Sequence, residues 1–419
     1  MNVFFKIKSV AKDTILYLLA SLIPACISII INPFVAKNMS PMDYAITGYI
    51  SSFNTIATPL ILFCFIRYYL KNYYIANEDE RFSIKATIVK GLLFFSFFMS
   101  LLFILLVTIY HYYFNADSTL QLFPYIFIST LSVWLSGIIS LQLADYRIQK
   151  HSKKYFLLSV TKSLLLYLSI IVLVIFLKKG ALGYLFSSLI DVIIIFVYCL
   201  YINRKYLNVK FDSRPFNDIV IFCIPLVFAG LLEFFTSGFT RVFLERVGDN
   251  QEYGYYNVGF SFANYIGIFT TALFASFSPD LYKYVAQKNY RKIIQISIYV
   301  VLIQVFVVLL FILISPIAID LLTAGRYVKS IGYARIISLS HIFIIMFYLI
   351  NDITIAMGKT KMVLYTKIVS SIISVFVTMV IINKYGYIGG AIVLSINMLI
   401  YFTVNIILLY TSFKCSKIK

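Results

Sequence analysis

The sequence predicts an all-α integral membrane protein, with twelve transmembrane helices in two six-helix lobes related by a pseudo-two-fold axis along the membrane normal. Three observations carry that reading. Of 419 residues, 61% are apolar and only 13% charged, against about 45–50% and about 25% in a soluble domain, which must still cover its surface with polar groups. The apolar residues fall into runs near the roughly 20 residues that cross a bilayer. The runs lack period-two alternation, so they satisfy their backbone groups as helices and not as barrel strands.

Each span is justified by its flanks. Span 1 (14–36) follows Lys6, Lys8 and Lys12 and has no small-residue cleavage site, so it is read as an uncleaved helix. Span 2 (44–66) returns to Arg67, Lys71, Arg81, Lys85 and Lys90. Spans 3 (91–110) and 4 (122–144) form a hairpin ending on Arg147, Lys150, Lys153 and Lys154. Spans 5 (155–177) and 6 (181–202) turn tightly at Lys178–Lys179 and end on Arg204 and Lys205. Spans 7 (219–243) and 8 (254–277) lead to Lys283, Lys288, Arg291 and Lys292. Spans 9 (293–318) and 10 (334–357) return to Lys359 and Lys361, and spans 11 (362–382) and 12 (386–410) end on a basic tail.

With the N-terminus in the cytoplasm, twenty-six of the 36 lysines and arginines lie inside and nine outside. That is the positive-inside rule at every hairpin, and it places both termini in the cytoplasm. Alkaline phosphatase fused after Asp117 should therefore be active, and fused after Asp212 inactive; the reverse pattern would invert the topology. The net charge of +19 is thereby accounted for, and nucleic acid is not expected as a partner. The five cysteines show no metal or redox spacing. Loops of roughly fifteen residues leave no room for an extramembrane catalytic domain, and no cofactor, metal or catalytic constellation is expected.

The chain resembles itself at an offset near half its length. Lys178-Lys-Gly-Ala-Leu-Gly183 before span 6 and Lys384-Tyr-Gly-Tyr-Ile-Gly389 before span 12 share K-x-G-x-x-G. Thr161-Lys162 in span 5 matches Thr366-Lys367 in span 11, and Asp43-Tyr44-Ala45 matches Glu252-Tyr253-Gly254. An offset of six spans means both halves enter the membrane in the same sense. The expected lobes are 1–210 and 211–419.

Ionisable groups inside spans are functional hypotheses by default. Lys162, Arg241, Arg335 and Lys367 place fixed cations at several depths, suited to an anion. Each could instead snorkel to an interface, and Arg241 could pair with Glu245 at i,i+4. Glu233, near the middle of span 7, and Asp191 in span 6 are the carboxylates that need a cation, a proton or water. His341 is more readily a helix–helix hydrogen bonder than a proton relay.

These segments resemble a known family. Leu321-Leu-Thr-Ala-Gly-Arg-Tyr327, the turn Gly358-Lys-Thr360, Tyr385-Gly-Tyr-Ile-Gly-Gly-Ala391, and Arg241-Val-Phe-Leu followed by Tyr253-Gly-Tyr-Tyr256 are similar to the polysaccharide transport branch of the multidrug/oligosaccharidyl-lipid/polysaccharide exporter superfamily, Wzx-type O-antigen or capsule flippases above all. The family usually has an Asp before the span-7 arginine; here it is Thr240, so Glu233 or Glu245 would supply the acid. The resemblance implies a central cavity, alternating access and a bacterial inner-membrane location. It implies an undecaprenyl-pyrophosphate-linked oligosaccharide as substrate, H+ or Na+ coupling, and contact with membrane lipids and polysaccharide assembly proteins. Lys162, Arg241, Arg335 and Lys367 would bind the pyrophosphate, and Glu233 and Asp191 would couple the ion. A drug exporter of the same superfamily is the alternative, and an O-antigen polymerase the less favoured one.

Overall fold

The structure is a computed structural model, and it describes residues 2–73, 76–114, 120–209, 213–357 and 359–416. Asp117, Asp212 and Gly358 lie outside these. Every element among the described residues is helical: α1 Asn2–Asn38, α2 Pro41–Leu62, α3 Phe65–Asn72, α4 Glu78–Lys90, α5 Ser96–Phe114, α6 Tyr125–Ile148, α7 Ser152–Ile170, α8 Gly180–Leu207, α9 Ser213–Glu245, α10 Asn250–Ala286, α11 Tyr290–Thr323, α12 Ser330–Ala356 and α13 Thr360–Ser416. Short π-helical turns join α4 to α5 and extend α7.

Each of the twelve expected spans falls on helix, though not one to one. Nine helices among the described residues are long and apolar enough to cross a membrane by themselves, and the bent pair α2–α3 adds a tenth. The remaining two come from α1, whose early residues are only partly described, and from α13. The 57-residue α13 is two helices joined at Gly386, where φ is 55° and ψ −134°, a conformation only glycine adopts readily. Gly180, its counterpart in the K-x-G-x-x-G repeat, also has positive φ, 53°. The second glycines correspond too. A Cβ on Gly183 would lie 3.0 Å from the Leu173 carbonyl oxygen, and one on Gly389 2.6 Å from that of Ile381. In both halves the motif reverses the chain and tucks the new helix against the last carbonyls of the old one. The repeat read from sequence is therefore local geometry, not chance identity.

Polar side chains cap the starts of several helices. Asn77 caps α4 in a capping box with Glu80, Asp249 accepts from Gln251 and Glu252 at the start of α10, and Asn289 accepts from Lys292 at the start of α11.

The chain forms two compact units: 1–40 with 53–231, and 41–52 with 232–419. In the first, α1 packs on α7, and α8 packs on both α6 and α7. In the second, α12 is the hub, touching α10, α11 and α13. The outer half of α2 belongs to this second unit. It docks on α10, where a Cβ on Gly254 would sit 2.0 Å from the Pro41 carbonyl oxygen and one on Gly48 2.2 Å from the Asn257 amide.

Candidate functional site

The two units each hold one of the paired lysines expected from the repeat. In the first unit Lys162 of α7 lies within electrostatic reach of Asp191 on α8. Asp191 is 1% exposed, and neither carboxylate oxygen meets a side-chain donor. It is a buried acid in an apolar setting whose nearby opposite charge is Lys162.

In the second unit Lys367 of α13 faces Glu233 of α9, Nζ to Oε2 3.9 Å. That is an ion pair beyond hydrogen-bond length, and the Glu233 side chain is 72% exposed. Sequence reasoning gave these two residues separate roles and took Glu233 as a carboxylate that needs a cation, a proton or water; the structure brings them together. They line a cavity of about 250 Å³ with Phe347, Tyr348, Tyr401 and His341. The aromatic wall is internally braced: Phe347 and Tyr401 meet edge to face at 5.5 Å, and the Tyr401 hydroxyl and Ser371 Oγ are 2.7 Å apart. A charged pair set in an apolar, aromatic wall is the arrangement of a small-ligand pocket.

The other two predicted cations sit elsewhere. Arg241 is 6% exposed on α9. Its Nη1 donates to Ser51 Oγ at 3.2 Å, and the guanidinium stacks 4.6 Å from the Phe260 ring centre. Glu245 is not among its partners in the described residues, so the i,i+4 pair considered from sequence does not form. The reason is packing: the outer half of α2 and the aromatic face of α10 occupy both sides of the guanidinium, and Tyr253 donates to the Arg241 carbonyl at 3.0 Å. Arg335 is exposed on α12, and its Nε donates to the Ile312 carbonyl of α11 at 3.2 Å. It does not line the cavity.

Sequence reasoning missed one charged cluster. Lys85, counted there as a cytoplasmic loop charge, is 5% exposed and pairs with Asp145 at 2.8 Å. Tyr69 and Gln149 also donate to that carboxylate, Gln149 at 2.7 Å. The Lys85 ammonium lies 4.7 Å from the centre of the Tyr206 ring. The cluster ties α3, α4, α6 and α8 together. Among the described residues no group of histidines, cysteines and carboxylates is placed to hold a metal ion.

The comparisons agree with this architecture. Residues 10–279 match the family model described as polysaccharide biosynthesis protein, and 225–380 match the MatE model. An inward-facing multidrug resistance MATE family transporter of the MOP superfamily aligns over 96% of this chain and 99% of its own, at TM-score 0.70 and 12% identity. The lipid II flippase MurJ in an inward closed conformation aligns over 95% and 87%, at 0.66 and 16%. The Vibrio cholerae MATE transporter VcmN aligns over 97% of both chains, at 0.56 and 14%. At such identities the likeness is one of fold. No curated protein is significantly similar in sequence. The family model spans well over half of the chain, and on that ground the protein belongs to the polysaccharide biosynthesis protein family, within the multidrug/oligosaccharidyl-lipid/polysaccharide exporter superfamily of membrane transporters and flippases.

Proposed function

We propose that the protein is a flippase. It moves an undecaprenyl-pyrophosphate-linked oligosaccharide, an O-antigen or capsule repeat unit, from the cytoplasmic to the periplasmic leaflet of a bacterial inner membrane. The observation that carries this reading is Lys367 lining an aromatic-walled cavity at membrane depth. Carrying a pyrophosphate through hydrocarbon unaided exposes charge at prohibitive cost, and a fixed ammonium replaces part of its hydration. The lipid tail stays in the bilayer, so the protein need enclose only the headgroup. Lys162 is the counterpart in the first unit, Arg241 adds buried positive charge, and Arg335 serves at the outer interface. The two six-helix halves, with a boundary near residue 210, alternate in access, both termini lie in the cytoplasm, and the protein itself performs no covalent chemistry.

Glu233 and Asp191 are the coupling acids, each balanced against the lysine of its own unit and able to exchange that partner for H+ or Na+. Lys367→Ala should reduce flipping of a lipid-linked oligosaccharide in proteoliposomes by at least tenfold, with Lys367→Arg milder. Glu233→Gln should leave a folded protein whose flipping no longer responds to an imposed proton or sodium gradient. Normal gradient-driven flipping in both variants would remove the assignment. The MatE match over residues 225–380 favours a second reading, cation-coupled export of a drug or toxin. Under it the same variants would alter drug resistance and leave surface polysaccharide unchanged.

A further inference from the structure

His341 lies on α12, the hub of the second unit, and is 4% exposed. One edge of its ring lies against the backbone of Ala263 on α10. The other edge presents Nδ1, buried and without a hydrogen-bond partner. The ring forms part of the wall shared by two cavities, the one of about 250 Å³ that holds Glu233 and Lys367 and a second of about 420 Å³ that holds Thr270 and Thr271. Asn264 and Tyr348 line both as well. Gly267 lets α10 pass close to that edge of the ring: a Cβ there would lie 3.1 Å from His341 Cε1 and 3.8 Å from Nδ1. Behind Thr270, Gln304 of α11 is fully buried and donates to the Thr270 hydroxyl at 3.0 Å, which continues the polar line into the unit.

A cavity holds water when it is roomy and offers two or more polar partners. Both cavities are roomy, and Nδ1, the Asn264 amide and the tyrosine hydroxyl supply the partners. A bare imidazole nitrogen in a ring beside such a space is an acceptor without a donor, and burial makes an unmet acceptor unfavourable. Imidazole is also the side chain that takes up and releases a proton near neutral pH.

We propose that His341 Nδ1 is a water-linked proton station between the two cavities. A hydronium on the Glu233 side gives its proton to the Nδ1 lone pair, forming the imidazolium while the other ring nitrogen keeps its own proton. Nδ1 then returns that proton to water in the second cavity. The titratable groups facing the same space are Glu233 from α9, Lys367 and Tyr401 from α13, and Tyr348 from α12 itself; α10 and α11 contribute only uncharged polar groups. Glu233 supplies the negative charge that balances the imidazolium. The station rests on the ion coupling proposed above for its purpose, but its test needs no transport.

The chain has three histidines, so His111→Gln with His151→Gln leaves His341 as the single signal. With 15N-labelled imidazole in liposomes, solid-state NMR should show Nδ1 as an acceptor at alkaline pH and as N–H at acid pH, with an exchange peak to water. Glu233→Gln should move that step to more acid pH, because the imidazolium loses its facing carboxylate. Gly267→Ala should weaken or abolish the water peak. An Nδ1 signal unchanged between acid and alkaline pH, with no exchange to water in the unaltered site, overturns the proposal and makes His341 a packing residue. Absence of flipping by the unaltered protein, with the NMR behaviour intact, would instead count against the flippase reading alone.

Discussion

Replacing Asp145 with alanine is expected to destabilise the protein by about 3–5 kcal/mol, the range for breaking one side of a buried ion pair. The carboxylate is 4% exposed and satisfies three donors, Lys85, Tyr69 and Gln149. Removing it strands the Lys85 ammonium where only the Tyr206 ring remains close. The measurement is the melting temperature of detergent-solubilised protein, followed by size-exclusion fluorescence. The double variant Lys85→Leu with Asp145→Leu should recover most of the loss, because apolar residues of similar volume often replace a buried pair without net destabilisation. A single-variant loss below about 1 kcal/mol, the value for exposed pairs, would mean that water reaches the cluster.

The second large effect is expected at Gly254. An added methyl would lie 2.0 Å from the Pro41 carbonyl oxygen and 2.6 Å from its carbon, and neither backbone atom moves without carrying the start of α2 with it. Gly254→Ala should therefore destabilise by about 2–4 kcal/mol, at or above the overpacking range. Gly48→Ala provides the comparison. Its methyl meets the Asn257 side chain at 2.2 Å, and that amide can rotate away, giving up its 3.0 Å bond to the Tyr253 carbonyl. About 1 kcal/mol is expected there, the net worth of such a bond. Equal melting temperatures for the two variants would show that the docking of α2 on α10 is not tight.

Composition and charge made the helical, membrane-embedded fold legible, because lipid leaves the backbone few alternatives. The repeat was legible as well: the matched glycines share a positive φ, which a local motif can specify. Partner choice was not. Lys367 and Glu233 are far apart in sequence, on helices whose rotation is set by packing, so nothing in either segment announces the pair. Arg241 meets Ser51 and Phe260 rather than the Glu245 that helix spacing alone allowed, for the same reason, since α2 and α10 reach it first. Lys85 was misread because a positive-inside count scores every basic residue near a span end as solvent-facing. Its partner Asp145 was the missed signal, an acidic residue beside a cytoplasmic row of cations.

The Lys85–Asp145 pair also places a timing demand on synthesis. The two residues are separated by 60 positions, which at roughly 5–20 residues per second is about 3–12 s of translation. During that interval α4 exists and its acid does not. The Asn77–Glu80 capping box lets α4 form on local terms and wait at the membrane surface, its ammonium still in water. Only when α6 and then α8 emerge can the lysine be drawn inward. A nascent chain that stops between these points would carry the Lys85 cation with no carboxylate to receive it.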